Sequence, residues 1–353
     1  MAIAKMNAAV LTEYRKIEWK EVPIPEIGDE EVLVKVGYAG ICGSDQHIYS
    51  GEFAPRTSLP LIQGHEFSGQ VVRVGRRVKN FKEGDRVVID PVIPCGRCAA
   101  CELGCYPACT SLKLVGVDMD GGFAEYVKVK ENMLYAISDR ISDKYAAMVE
   151  FYSIGFHACN RAEIREGDTV VIWGGGRIGQ SIMQAARTKT QEVIFVLDVL
   201  DKRLEIPQKS YENVITINIK KMDPLEVIYD LTNGRGVDVA FEAVGHWEEV
   251  EGRPNPIVGC VKSIRGAGTV CVLGLSDMPV PLIMKDLIWR EARIVASRVN
   301  HGEFREVIRH LAIGNLHPDV LISAEMPGYQ ASWAFSLLEK EPENYLKILL
   351  KFS

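Results

Sequence analysis

The chain of 353 residues is 47% hydrophobic and carries 41 Lys and Arg against 47 Asp and Glu, a formal net charge of −6. That length implies two domains with a sizeable core. The acidic balance, without any basic run, gives nucleic acid or an anionic membrane no electrostatic footprint. No stretch reaches the ~18 apolar residues of a membrane span, and MAIAKMNAAVLTEYRKIEW breaks into charge too early for a signal peptide. A cytoplasmic location is therefore expected, where thiols stay reduced and clustered cysteines hold metal more often than they form disulfides.

Short β-branched runs from Val32 to Tyr38, Gly69 to Val74, Arg86 to Asp90 and Ala124 to Val129, each bounded by Gly, Pro or Asp, predict a barrel-like first half. Around the first two runs lie ICGSDQH and GHEFSG, which put His65, with Glu66 beside it, twenty-three residues beyond Cys42. Thiolate, imidazole and carboxylate are zinc-ligand types, and three protein ligands leave a position open for water or substrate. An isolated His–Glu pair is more often a surface turn; the nearby cysteine motif favours a site.

Residues 94 to 109, PCGRCAACELGCYPAC, hold five of the nine cysteines. Cys95, Cys98, Cys101 and Cys109 read C-x2-C-x2-C-x7-C, which lets one loop wrap a tetrahedral zinc. With Cys105 in place of Cys109 the run becomes C-x2-C-x2-C-x3-C, the bacterial iron–sulfur spacing. That pattern normally has Pro directly after its last Cys, whereas Tyr106 intervenes here, and no second such run exists. The residues favour zinc and leave Cys105 and Cys109 both open as the fourth ligand.

From about residue 165 the grammar changes to strand–helix alternation. DTVVIWGGG is a strand into a turn, RIGQSIMQAARTK a helix, EVIFVLD a strand and DKRLEIPQK a short helix, and NVITIN through GTVCVLGL continues the series. This predicts a doubly wound parallel sheet. Within it, Gly174-Gly175-Gly176-Arg177-Ile178-Gly179 forms G-x-G-x-x-G between strand and helix. Gly174 allows the tight turn, Gly176 lets backbone approach a pyrophosphate, Arg177 and Ile178 open the helix, and Gly179 lets it pack on the sheet. Asp198, nineteen residues after Gly179, is placed to accept a ribose 2′-OH and repel a 2′-phosphate. Asp201 adds to the repulsion, and Arg203 is the nearby group able to relax it. A plain glycine turn with Asp198 as a helix cap is the alternative, and the strand–turn–helix context weighs against it.

After about residue 295, GEFREVIRHLAIG and SWAFSLLEKEPENYLKILLKF predict helical stretches. His157, His246, His301, His310 and His317 lack ligand partners at useful spacing and read as structural, and Cys159, Cys260 and Cys271 read as core. Arg298 and Tyr49 suit substrate contact or packing equally.

With CGSDQHIY, GHEFSG, EGDRV, the cysteine lobe, DGGFAEYV, VEFYSIGFHAC and the glycine turn in this order, the chain resembles the zinc-dependent medium-chain alcohol dehydrogenases. The likeness is to the branch of sorbitol (polyol) and threonine dehydrogenases. It implies an α/β protein in which a barrel-like (GroES-like) catalytic domain, residues 1–153 and 296–353, flanks a Rossmann dinucleotide-binding domain, residues 154–295. It also implies a homo-oligomer, dimer or homotetramer, using NAD and two Zn²⁺ per chain, one catalytic and one structural. Cys109 then becomes the fourth structural ligand and Cys105 a spare thiol. Cys42, His65 and Glu66 correspond to catalytic zinc ligands, with Asp45 orienting the imidazole. Glu150 corresponds to a metal-adjacent catalytic carboxylate where simple alcohol dehydrogenases have a Cys. Ser44 and His47 match a relay carrying the alcohol proton through the cofactor ribose to solvent. The family's Glu-Pro is Glu150-Phe151 here, followed by Tyr152, a change expected to reshape the pocket. The function so implied is hydride transfer between a secondary, polyol-like alcohol and NAD(H). The alternatives are an L-threonine or other amino-alcohol dehydrogenase, a non-catalytic nucleotide-binding relative, and an iron–sulfur electron carrier.

Overall fold

EVLVKVGYAG has the β-branched, apolar character of a strand buried on both faces, and it forms the ten-residue strand Glu31–Gly40 at the heart of a seven-stranded sheet. The order across the sheet is Leu134–Ala136, Arg86–Ile89, Glu66–Val74, Glu31–Gly40, Lys347–Lys351 and Ile322–Pro327, with Tyr126–Lys130 also paired to Glu31–Gly40. Register shifts at Leu33/Val34 and Val36/Tyr38 mark bulges, which bend a strand and let a sheet curl toward a barrel. In this register Gly40 stands opposite Glu66 on one side and Leu349 on the other. Phe67, Phe123, Phe335, Ile348 and Leu350 are among the side chains filling the core beneath.

The structure, a computed structural model, describes residues 4–245 and 249–353. The chain divides into two units, Met1–Phe151 with Asn300–Ser353, and Tyr152–Val299. Both flanking segments thus build one barrel-like unit. One sequence expectation needs correction. SWAFSLLEKEPENYLKILLKF is helical only over Ala331–Lys340, and Lys347–Lys351 is a strand. Pro342 shortly after the helix blocks its continuation. The following ILL run then finds parallel and antiparallel strand partners that leave it buried.

The second unit is the doubly wound sheet. Its strands are all parallel and run in the order Val214–Asn218, Ile194–Asp198, Val170–Trp173, Val237–Glu242, Ile264–Val272, Arg293–Ala296. The chain starts in the middle, at Val170–Trp173, builds outward one way and then the other. The carboxyl end of that strand is therefore the switch point where such sheets bind ligands. Trp173, Phe195, Leu197 and Ile217 pack in its core. Among the described residues no helix is long and apolar enough to cross a membrane.

Candidate active site

Cys42 caps the helix Gly43–Ser50, and its backbone N–H donates to Asp45 Oδ2 at 2.8 Å. His65 directly precedes Glu66, the first residue of the strand Glu66–Val74. These elements bring one ligand atom each from Cys42, His65 and Glu66 within 4.8 Å of one another. Asp45, fully buried, holds Oδ1 3.5 Å from His65 Nδ1, while Ser44 Oγ lies 3.1 Å from His65 Nε2. Burial by itself lowers the His65 imidazole, but Asp45 and Cys42 outweigh it and hold the group well above its ordinary value. Surroundings negative enough to attract a proton attract a divalent cation too.

The Glu66 carboxylate is buried and ion-paired through Oε2 with the equally buried Lys347, while Oε1 has no hydrogen-bond partner among the described residues. Glu150, also buried, has its carboxyl pushed up to about 8, first by burial and further by Glu66 and Asp90, against the pull of His65 and Lys347. An orphaned carboxylate oxygen beside thiolate and imidazole fits zinc's preferred donor set. His47 Nδ1 meets Glu52 Oε2 at 2.6 Å and its ring stacks on Phe53.

In the lobe, the sulfurs of Cys95, Cys98, Cys101 and Cys109 also lie within 4.8 Å of one another, and exposed Cys105 is not in the group. Backbone N–H donors at Cys101 and Thr110 bring the Cys98 thiol down to about 6, whereas burial and then its bond to Cys98 push Cys101 up to about 11. Crowded thiols divide in this way because four unscreened thiolates repel; a divalent cation removes that repulsion, so the group fits a closed zinc site. His301 Nε2 lies 2.7 Å from the Gly104 carbonyl oxygen, and Tyr106 packs edge-on to the His301 ring at 4.6 Å.

In the second unit, Gly174 takes φ of +108°, a conformation that L side chains avoid. A Cβ on Gly179 would strike the Gly174 carbonyl, so the glycine lets the helix Arg177–Arg187 start directly against the turn. Gly176 is the N-cap and carries no capping side chain, and a Cβ there would meet only Arg203 Nη1, at 3.7 Å. An uncapped helix N-terminus beside open space is an anion cradle. Asp198, 7% exposed at the end of Ile194–Asp198, accepts N–H bonds from Gly175, Val199 and Leu200 at 2.8–2.9 Å, with Arg203 Nη1 at 3.5 Å. Arg177 and Ile178 form the helix's first turn. The turn and its acidic neighbour fit the ribose and pyrophosphate of a dinucleotide.

Tyr49 donates its hydroxyl to the Arg15 carbonyl at 2.9 Å and packs on Phe335. His310 Nδ1 meets the Asn315 amide, and Cys159, Cys260 and Cys271 are fully buried. His246 lies outside the described residues. Phe151 and Tyr152 are buried packing residues: Phe151 lies under the Lys347 ammonium at 4.9 Å, and the Tyr152 hydroxyl donates to Gln184 Oε1 at 3.0 Å. Sequence reasoning missed Lys347 and Asp90. A lysine heading an apolar run, KILLK, was the one available hint of the first.

The Alcohol dehydrogenase GroES-like domain family matches residues 28–139, and the Zinc-binding dehydrogenase family matches residues 178–312. Sorbitol dehydrogenase of Bacillus subtilis (strain 168) is 38% identical over 283 residues, 78% of this chain and 77% of its own length. A zinc-binding dehydrogenase from Sinorhizobium meliloti 1021, solved with NADP, shares the fold with a TM-score of 0.91 at 29% identity, covering 99% of this chain and 100% of that one. An alcohol dehydrogenase from E. coli CFT073, solved with NADH, does so with a TM-score of 0.88 at 31% identity and the same coverage, 99% and 100%.

Proposed function

The chain belongs to the zinc-type alcohol dehydrogenase family, and from that premise we propose that it transfers hydride between NAD(H) and a secondary alcohol bearing a neighbouring hydroxyl, a polyol or sugar alcohol. The observation that carries this reading is the buried Glu150 carboxyl interacting with His65 and Glu66. A second carboxyl beside the ligand set makes the pocket hydrophilic and able to accept a hydrogen bond from a second substrate hydroxyl. A substrate that brings a second hydroxyl to that carboxyl gains a hydrogen bond that an analogue lacking it cannot make.

Cys42, His65 and Glu66 would hold a zinc ion, which would supply Lewis acidity able to bring an alcohol pKa from the mid-teens toward ~7, and NAD⁺ would supply the hydride acceptor. Asp45 Oδ1, 3.5 Å from His65 Nδ1, would help orient the imidazole as a ligand. Ser44, whose hydroxyl lies 3.1 Å from His65 Nε2, would accept the substrate hydroxyl's proton while passing its own on through the cofactor ribose to His47, which is coupled to Glu52 and would release a proton to solvent. Gly174, Gly176, Arg177, Ile178 and Gly179 cradle the pyrophosphate, Asp198 holds the ribose diol, and Arg203 lies beside it. The Cys95, Cys98, Cys101 and Cys109 set would hold the structural zinc.

Exposed Leu275, Met278, Ile283, Met284, Ile288 and Trp289 lie just before the edge strand Arg293–Ala296. Apolar surface next to an open sheet edge supports assembly into a homodimer or homotetramer. No disulfide joins any of the nine cysteines, in keeping with a reducing cytoplasm.

Glu150→Ala tests the reading. Its kcat/KM for a polyol should fall ten- to a thousand-fold, about 1.4–4 kcal/mol, with both zinc sites filled and ethanol much less affected. An unchanged variant would remove the carboxyl from the mechanism.

A further inference from the structure

Lys347 is 1% exposed, and a charged ammonium so deep is tolerated only where its partners are built around it. Among the described residues its Nζ meets Oε2 of Glu66, the Ile41 carbonyl at 3.3 Å and the face of the Phe151 ring at 4.9 Å, and its charge also acts on the Glu150 carboxyl. The fold makes room for this arrangement. Strands Glu66–Val74, Glu31–Gly40 and Lys347–Lys351 lie side by side, and Gly40 of the middle strand pairs with Glu66 and Leu349. A Cβ on Gly40 would occupy the space of Glu66 Oε2. The missing side chain therefore lets the carboxylate settle against the lysine, with Oε1 left buried and without a hydrogen-bond partner.

We propose that Lys347 is a positioning residue of the metal site: it holds Glu66 by Oε2 so that Oε1 alone is presented to the zinc. Gly40 supplies the space, and Phe151 supplies an aromatic face for the ammonium. This rests on the reading of Cys42, His65 and Glu66 as a zinc site. Partners of metal ligands commonly change metal affinity 10- to 100-fold when removed, and that is the scale expected here. Lys347 acts through Glu66 and has no part in the four-cysteine site, so its removal should weaken one zinc and spare the other.

The test compares the wild-type protein with Lys347→Met, Lys347→Arg and the Glu66→Gln variants with and without Lys347→Met. Zinc per chain is measured during titration with a chelator, and the visible spectrum is recorded after cobalt replaces the labile zinc. Lys347→Met should release one zinc at 10- to 100-fold lower chelator concentration and alter the cobalt bands, while the second zinc stays. Lys347→Arg should approach wild type, and in the Glu66→Gln background Lys347→Met should add nothing. Lys347→Gln gives the same comparison where Lys347→Met does not fold. Equal chelator sensitivity in wild type and Lys347→Met, each with two zincs, overturns this proposal alone, and so does an undiminished effect in the Glu66→Gln background. A wild-type protein with zinc in the four-cysteine site only overturns both the proposal and the reading beneath it.

Discussion

Gly175 donates its backbone N–H to Asp198 Oδ2 at 2.9 Å, which ties the glycine turn to the acidic end of the next strand before any nucleotide arrives. Asp198 is buried and already takes three N–H bonds, so its charge is fixed in place. A 2′-phosphate brought there meets a carboxylate in a partly desolvated setting, and a ribose diol meets an acceptor. The protein should show higher kcat/KM with NAD⁺ than with NADP⁺, and Asp198→Ala should narrow the ratio from both sides. Arg203 Nη1, 3.5 Å from the same oxygen, is the group through which the variant gains NADP⁺ use. A preference for NADP⁺ in the unaltered protein would contradict this.

The cysteine lobe makes a second comparison possible within one loop. Cys109 is buried and its sulfur belongs to the four-thiol group, while Cys105 is exposed and outside it. Cys109→Ser should lower the melting temperature markedly and cost one zinc per chain, since removing one ligand of a closed site takes metal and lobe together. Cys105→Ser should leave both within error. Equal losses in the two variants would reassign the fourth ligand.

Asp90 sets an expectation for pH. Burial, helped by Glu303, raises its carboxyl to about 6, against bonds from the Val92 N–H and the Asn300 amide. The folded-state value is above the unfolded one, so the stability this group contributes is full below the ordinary carboxylate range. It is lost as pH rises through about 6. The span corresponds to about 3 kcal/mol at most. Asp90→Asn keeps an oxygen acceptor and removes the titration. Its stability relative to wild type, from denaturant midpoints, should improve steadily between about pH 4 and pH 6 and then level off. A difference independent of pH would show that Asp90 is not strained by burial.

The metal-binding candidates were legible because ligand spacing is local: C-x2-C-x2-C and His-Glu are read along a few residues of chain. The doubly wound sheet was equally plain, since each strand and helix carries its own periodicity. What escaped depends on pairing across the chain. Lys347–Lys351 reads as the tail of a helix until Glu31–Gly40 and Ile322–Pro327 claim it as a strand. The Lys347–Glu66 ion pair, 281 residues apart, exists only through that pairing. Asp90 likewise becomes buried and bonded through Asn300, 210 residues away. The place of the Phe151 ring under the Lys347 ammonium likewise depends on that pairing.

The central claim is that a carboxyl beside the metal ligands selects alcohols with a second hydroxyl next to the one oxidised. The most direct measurement is kcat/KM of the wild-type protein with NAD⁺ for a vicinal diol against the alcohol that differs only by lacking the second hydroxyl, 2,3-butanediol against 2-butanol. Sorbitol, threonine and ethanol serve as companions. A hydrogen bond to the carboxyl that only the diol can make is worth about 1–3 kcal/mol, so the diol should be favoured by roughly 5- to 150-fold, and a polyol should lead the panel. Equal values for diol and monohydric alcohol, or ethanol ahead of every polyol, would contradict the account.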